Sequence, residues 1–184
     1  MRKIVVFLCI ALLSLALAAC NRAVVLNPAF LFDESGSYTG FAAIPADYTA
    51  SQAVKDGCYV SRNLNEVGGG GAWSAFIAKA KAGGDCSIRI MSIYDDGTYY
   101  EDLFYVNGRY SLFDSSAEDL TAHISYKYLL DLRGRMPNAS ADSRYVVLTD
   151  DGALTFDDVW KSMVSDNSAV AFSHQYVLVC GMAA

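Results

Sequence analysis

Histidine, proline and tryptophan are scarce in these 184 residues, with two, three and two copies. The two imidazoles, His123 and His174, leave little for a hydrolytic triad, which needs a nucleophile, a base and an orienting group. There is no Gly-x-Ser-x-Gly elbow, and no Cys-x-x-Cys pair of the kind that structural zinc sites use. These absences predict a protein without a metal or cofactor, and they favour a non-enzymatic role over catalysis.

Positive charge is also in short supply. Lysine and arginine number 14 against 20 aspartates and glutamates. Arg2 and Lys3 fall in the leader described below, and its removal leaves 12 basic and 20 acidic residues, a net charge of −8. Such a surface repels nucleic-acid phosphates and anionic headgroups. We therefore expect no nucleic-acid partner.

The first 19 residues have the pattern of a signal peptide, because Arg2 and Lys3 precede an apolar run from Ile4 to Ala19. This run is shorter than the roughly 20 apolar residues of a spanning helix. It ends in Leu17-Ala18-Ala19-Cys20, which resembles the lipobox of bacterial lipoproteins, where the thiol receives a diacylglyceryl group. Each buried CH₂ of an acyl chain contributes about 0.8 kcal/mol, so two chains anchor stably. The resemblance predicts cleavage after residue 19, lipidation of Cys20, and a location on the extracytoplasmic face of the cell membrane.

Few cysteines remain beyond the leader. Cys58, Cys86 and Cys180 are left once Cys9 is removed with the leader and Cys20 carries lipid. An exported protein can form a disulfide. Cys86 with Cys180 is the disulfide candidate, because both lie at ends of predicted strands. The alternative is that all three are buried free thiols.

Residues 20–47 show no helical or strand period and contain prolines and glycines, which predicts a lipidated tether. Phe30, Leu31, Phe32 and Phe41 are too apolar to be exposed together, so part of the tether is expected to pack on the domain. The folded domain is then predicted to span residues 48–184, a length that suits one core.

Three segments have helical character: 48–56, 73–82, and 155–164 with Thr155 as its cap. Thr49 is a candidate cap for the first of them, with Ser51 as the alternative. The four glycines at 68–71 precede the second helix without a Gly-Lys-Ser/Thr sequence or a βαβ context. A flexible connector is therefore favoured over a phosphate loop there.

Three strand-like runs occupy residues 87–94, 98–106 and 109–114. They are separated by Asp96-Gly97 and Asn107-Gly108, dipeptides that favour type I′ hairpin turns. With two-residue loops, the predicted partners are Tyr94 with Tyr99, Ile90 with Leu103, Leu103 with Leu112, and Tyr105 with Tyr110.

The two faces of this antiparallel meander differ. One face is apolar and is expected to meet the helices. The other mixes charge with aromatic area, and an Arg89–Asp102 contact is expected across a diagonal. Because aromatic rings supply contact area with a polar handle, this second face is the predicted binding surface: Arg89, Tyr100, Asp102, Phe104 and Phe113.

Residues 124–133 alternate between apolar and polar side chains and predict one long strand, with further strands at 144–149 and 175–180. The whole pattern predicts an α+β fold. We expect an antiparallel sheet of about five to seven strands, with two or three helices packed on one face.

Several short motifs follow one another along residues 48–180: Ala53–Gly57, Phe76, Ile88-Arg89-Ile90, Asp102-Leu103-Phe104-Tyr105 with Gly108, and Cys180. Their order resembles an uncharacterised family of small lipoproteins from Gram-positive bacteria. The resemblance implies an envelope location and a shared fold, and it implies no activity.

The function predicted from these observations is a non-enzymatic, surface-tethered binding module of the cell envelope, with a protein or a cell-wall glycan as partner. A small envelope hydrolase or transferase is an alternative, because an α+β fold could bring Glu101, Asp102 or Asp114 together as paired carboxylates. A purely structural envelope component is the other alternative.

Overall fold

The computed structural model of the chain describes residues 28–121, 124–164 and 173–181. The predicted leader, Cys20 and His123 lie outside these ranges. The described residues form three helices and nine strands. The helices are α1 (Ala50–Lys55), α2 (Gly70–Lys81) and α3 (Phe156–Met163). The strands are β1 (Tyr59–Arg62), β2 (Asn65–Gly68), β3 (Cys86–Tyr94), β4 (Gly97–Val106), β5 (Arg109–Asp114), β6 (Ser125–Tyr126), β7 (Tyr128–Gly134), β8 (Ser143–Thr149) and β9 (His174–Gly181). Of the described helices, none has the length and apolar character needed to span a bilayer.

The strands are divided between two sheets. Six strands form one sheet in the order β2-β1-β3-β4-β5-β6, and three form the other in the order β7-β8-β9. All neighbouring pairs are antiparallel except β1 and β3, which run parallel. The predicted α+β class is confirmed.

The largest core lies between the two sheets. One face of the six-stranded sheet, together with α2, packs against residues of the smaller sheet that include Val146 and Leu148. α3 packs on the opposite face of the smaller sheet through Phe156 and Val159. α1 packs through Ala53 on the other face of the larger sheet. The helices therefore cover three different sheet surfaces.

Two of the helices begin at capping boxes. The Thr49 hydroxyl accepts from the backbone of Gln52, whose side chain accepts in return from the Thr49 backbone, and Thr155 and Asp158 form the same arrangement at α3. Each box satisfies backbone N–H groups that the first turn of a helix leaves without a partner. The predicted caps at Thr49 and Thr155 are confirmed.

The first hairpin turns one residue earlier than predicted. Asp95 and Asp96 form the turn and Tyr94 pairs with Gly97. None of the residues 95–97 has a positive φ, so the type I′ turn expected at Asp96-Gly97 is not used. Every β3 residue consequently pairs two positions away from its predicted partner. This register sets a buried arginine of β3 directly opposite a buried aspartate of β4, an ion pair that the predicted register would place on a diagonal.

The second hairpin has the predicted turn and register. Asn107 and Gly108 have φ of +52° and +78°, as the centre of a type I′ turn requires. Tyr105 lies opposite Tyr110. The rest of the β4–β5 register follows from this turn.

Residues 124–133 do not form one strand, because β6 and β7 belong to different sheets. Between them the Lys127 N–H donates to Asp150 Oδ1 at 2.8 Å instead of to a strand. Tyr126 faces the core between the sheets, whereas Leu130 and Leu132 face α3. The unbroken alternation in the sequence therefore concealed a change of sheet.

The glycine run ends one strand and begins one helix. β2 ends at Gly68 and α2 begins at Gly70. Gly69 between them is the N-cap, with φ of +85°, and a Cβ on it would collide with the carbonyl oxygen of Cys58. The prediction of a flexible connector is wrong here, since backbone crowding requires glycine at this position.

Candidate functional site

The predicted binding surface is covered. Asp102, Arg89, Phe104 and Phe113 are 0 to 3% exposed, and Tyr100 is half-buried. The cover is the first part of the described chain, residues 28–44, which we call the strap. These side chains are therefore not an open binding face, because aromatic rings of the strap pack on the four buried ones, and Tyr48 lies against Tyr100 with ring centroids 6.5 Å apart.

Hydrogen bonds and ring contacts hold the strap in place. Tyr38 stacks on Phe113 with ring centroids 4.1 Å apart, and its N–H donates to the Leu120 carbonyl at 3.0 Å. Ser87 Oγ donates to the carbonyl of Pro28 at 2.8 Å. Residues 28–44, predicted as part of the tether, thus lie within the folded structure.

A buried ion pair joins the strap to the sheet. Arg89 donates to Asp102 through Nε to Oδ1 at 2.7 Å and through Nη2 to Oδ2 at 2.6 Å. The same Nη2 donates to the Gly40 carbonyl of the strap at 2.7 Å. Tyr38 Oη donates to Asp102 Oδ2 at 2.7 Å, and the guanidinium lies 5.8 Å from the centroid of the Phe41 ring.

Arg89 and Asp102 stabilise each other's charge within the protein. Burial opposes the charge of Arg89, but hydrogen bonds and attraction from Asp102 outweigh it and raise the pKa of the guanidinium. Burial and the nearby Asp102 charge raise the pKa of Tyr38 as well. Asp102 already accepts three hydrogen bonds. We therefore assign the pair to holding the strap rather than to binding a ligand.

The strap was the part of this arrangement hardest to find in the sequence. It has almost no regular secondary structure, so no period marks it. The available signal was the aromatic content of the segment, because rings this apolar are expected to pack on the protein rather than remain in water. These residues are Phe30, Phe32, Tyr38 and Phe41. An arginine and an aspartate on a face otherwise rich in aromatic residues were the matching signal on the sheet.

A cleft opens on the opposite face of the six-stranded sheet, beyond the core between the sheets. Glu101 of β4 and Asp114 of β5 lie directly across from each other. The cleft, about 430 Å³ in volume, is lined by Ser92, Tyr94, Asp96, Tyr99, Glu101, Asp114 and Ser116. A neighbouring cavity of about 330 Å³ extends along β9 and shares Ser92, Tyr94 and Glu101. Glu101 thus lies where the two cavities meet, and we call the two together the Glu101 cleft.

The two carboxyl groups of the cleft have different surroundings. Burial, and secondarily the charge of Asp114, raise the pKa of Glu101 from its usual value near 4.5 to about 8. Glu101 is therefore mostly protonated at neutral pH and can donate a hydrogen bond. Asp114 Oδ1 accepts from the backbone N–H and the hydroxyl of Ser116, at 2.8 and 2.7 Å. The cleft thus offers one acid donor beside one oriented acceptor.

Aromatic rings form the rim of the cleft. Tyr94 and Tyr99 have ring centroids 6.0 Å apart, and the Tyr99 hydroxyl donates to Asp96 Oδ2 at 3.3 Å. Among the described residues, no three His, Cys, Asp or Glu side chains are arranged to hold a metal ion. The carboxyl pair that the sequence left open is Glu101 with Asp114, whereas Asp102 points to the strap.

Glu101→Gln should flatten the dependence of stability on pH. The folded chain holds the Glu101 proton more tightly than the unfolded chain, so stability falls as the pH rises from about 4.5 to about 8. The amide does not ionise. The difference in free energy of unfolding between the variant and the parent should therefore increase in favour of the variant by about 2 kcal/mol from pH ~4 to pH ~9. This is less than the full linkage value, because Glu101 is only partly buried. Urea denaturation at both pH values measures this gain. The exposed Glu34→Gln is the control, and an equal difference at both pH values would contradict the expectation.

The described cysteines are free thiols: Cys58, Cys86 and Cys180. Cys86 begins β3, whereas Cys180 lines the Glu101 cleft with Ser92 and Tyr94, near the other end of β3. The six residue steps from Cys86 to Ser92 span roughly 20 Å in a strand, and a disulfide needs Cα atoms within about 7 Å. The predicted Cys86–Cys180 disulfide is therefore not formed.

Ser162 of α3 lies close to His174, the first residue of β9. Ser162 Oγ is 3.4 Å from His174 Nε2, but it donates its proton to the Val159 carbonyl at 2.7 Å. Both residues are buried, and burial lowers the pKa of His174. The pair is a packing contact rather than a nucleophile with its base.

Comparison with known proteins yields no match: no family model fits the chain, and no curated protein or solved structure is similar to it. The resemblance to small lipoproteins stays a prediction from the motifs given above. Function is therefore inferred from the Glu101 cleft itself.

Proposed function

We propose that this chain is a non-enzymatic binding module of the bacterial cell envelope. A lipid on Cys20 holds it on the extracytoplasmic face of the membrane, and its ligand site is the Glu101 cleft. The lipobox Leu17-Ala18-Ala19-Cys20 supports the anchor. The observation that carries the binding role is the cleft, since the face first predicted for binding lies under the strap.

The composition of the Glu101 cleft favours an uncharged glycan as ligand. Its volumes fall in the usual range for small-molecule sites, about 300–1,000 Å³. Tyr94 and Tyr99 offer ring area on which a sugar can pack. Serine hydroxyls and the protonated Glu101 provide donors and acceptors for sugar hydroxyls. Asp96 and Asp114 would repel an anionic ligand, which argues for neutral or N-acetylated sugars of the cell wall.

The pairing of Glu101 with Asp114 is the observation that favours the alternative function, glycoside hydrolysis. Such enzymes use a protonated carboxyl group and a second carboxylate. In those enzymes, however, the two groups flank the scissile bond. Glu101 and Asp114 are direct neighbours on one face of one sheet, where opposed side chains project in the same direction. Both would contact the same side of a sugar, and binding is therefore the better reading.

The binding proposal predicts that Tyr99→Ala and Glu101→Ala each weaken binding of N-acetylglucosamine oligomers about tenfold. Glu101→Gln should bind like the parent, because an amide N–H₂ replaces the carboxylic O–H as donor. Titration calorimetry with residues 20–184 measures these affinities. Tyr128→Ala is the matched control, since this tyrosine contacts Lys127 away from the cleft.

Three outcomes would decide against this proposal. If the parent chain binds no oligomer, the ligand is not a glycan of this kind. If the alanine variants bind like the parent, the Glu101 cleft is not the binding site. Release of reducing ends from the oligomers by the parent, lost in both Glu101→Gln and Asp114→Asn, would establish the hydrolase instead.

A further inference from the structure

The start of the strap leaves a run of apolar residues on the surface. Ala29, Phe30, Leu31 and Phe32 are all exposed, Leu31 by 59%. Phe30 and Phe32 hold the run in place through edge contacts with rings beneath them. Four consecutive exposed apolar residues are unusual on a soluble surface and indicate a binding role. We call residues 29–32 the apolar tip.

The position of the apolar tip brings it close to the proposed anchor. Pro28 immediately precedes it and is fixed to β3 by the hydrogen bond from Ser87. Seven residues separate Cys20 from Pro28, and that stretch of chain can span at most about 28 Å. A domain held by a lipid on Cys20 therefore has its apolar tip within reach of the bilayer.

We propose that the apolar tip inserts into the membrane–water interface, so that the domain lies on the bilayer instead of swinging from its lipid. The proposal rests on the lipidation of Cys20. Leucine and phenylalanine side chains gain stability at the boundary between headgroups and acyl chains. Asp33 and Glu34 follow the tip and would be repelled by anionic lipids. The surface it fits is thus one of zwitterionic headgroups.

This docking would also orient the ligand site. The strap covers the face of the six-stranded sheet that carries Arg89 and Asp102, and the Glu101 cleft opens on the opposite face. With the tip on the bilayer, the strap side faces the lipid and the cleft faces away from it. A module that binds a cell-wall glycan needs this orientation.

Quenching of tryptophan fluorescence by brominated lipid tests the docking. The acylated protein, extracted from membranes, is reconstituted in phosphatidylcholine vesicles whose acyl chains are brominated near the carbonyl end. Leu31→Trp places a reporter on the tip. Val67→Trp is the matched control, because Val67 is also exposed but lies on β2. Two strands separate β2 from β4, the strand on which Phe30 of the tip packs. The parent supplies the signal of Trp73 and Trp160 for subtraction.

The expected result is loss of about half of the added fluorescence at position 31 and none at position 67. No quenching at position 31, or equal quenching at both positions, would overturn the proposal. Intact mass of the same sample reports the lipid on Cys20 separately. A second sample, coupled through an N-terminal histidine tag at residue 20 to nickel-chelating lipid, gives the docking result even if Cys20 carries no lipid.

Discussion

Asp102→Asn should lower the free energy of unfolding by about 3–5 kcal/mol. The substitution leaves the buried Arg89 without a counter-charge, at a position where its side chain is 2% exposed. It also removes the charge that the Tyr38 hydroxyl contacts at 2.7 Å. Urea denaturation measures the loss, and hydrogen exchange of the strap amides should rise at the same time, because Tyr38 and Gly40 bind this pair.

Two further variants make that result interpretable. Asp131→Asn removes the partner of Arg144 from a pair in which the aspartate is 42% exposed, and it should change stability by less than about 1 kcal/mol. A double variant, Arg89→Met with Asp102→Leu, should recover most of the lost stability, because no buried charge is left. If Asp102→Asn is as mild as Asp131→Asn, the pair does not hold the strap as proposed.

Local chemistry made the β4–β5 hairpin and the starts of two helices predictable. Asn107-Gly108 fixes a type I′ turn because both residues accept positive φ, and the predicted β4–β5 register followed from it. The capping boxes at Thr49 and Thr155 are equally local. Glu101 and Asp114 face each other through the same hairpin, so the candidate site was within reach of the sequence once its register was known.

Other features depend on contacts between distant parts of the chain. The crossing at Lys127 is held by Asp150, which lies 23 residues further along, and no alternation of side chains could reveal it. The strap is held by Asp102, 64 residues from Tyr38. The register of the first hairpin places Arg89 opposite Asp102, whereas a type I′ turn at Asp96-Gly97 would have placed them on a diagonal. In each case, a non-local polar contact accompanied the departure from the local signal.

The raised pKa of Glu101 also could not be predicted from its neighbours in sequence. It depends first on burial, which follows from how the chain packs around the cleft, and only then on Asp114, its partner across the β4–β5 hairpin. The sequence supplied the two carboxyl groups. Burial in the cleft keeps Glu101 protonated at neutral pH, so that its carboxyl group can donate a hydrogen bond. This donor is central to the proposed glycan site.

Gly69→Ala should destabilise the chain by more than about 3 kcal/mol, well above the usual 1–2 kcal/mol for a non-glycine residue in the left-handed region. Gly57→Ala is the matched control. Both glycines have φ of +85°, but a Cβ at Gly57 would meet no atom within 4 Å, whereas one at Gly69 would collide with backbone atoms of Cys58 and Tyr59.

Relief of that collision in Gly69→Ala requires β1 and the start of α2 to move apart. The collision is with main-chain atoms, which no change of side-chain rotamer can relieve. α2 buries Trp73 and Phe76 in the core between the sheets, so the movement would disturb the largest core as well. Thermal and urea denaturation of the two variants give the comparison. Equal losses for Gly57→Ala and Gly69→Ala would mean that backbone conformation alone explains Gly69, and that the close approach to Cys58 contributes nothing to stability.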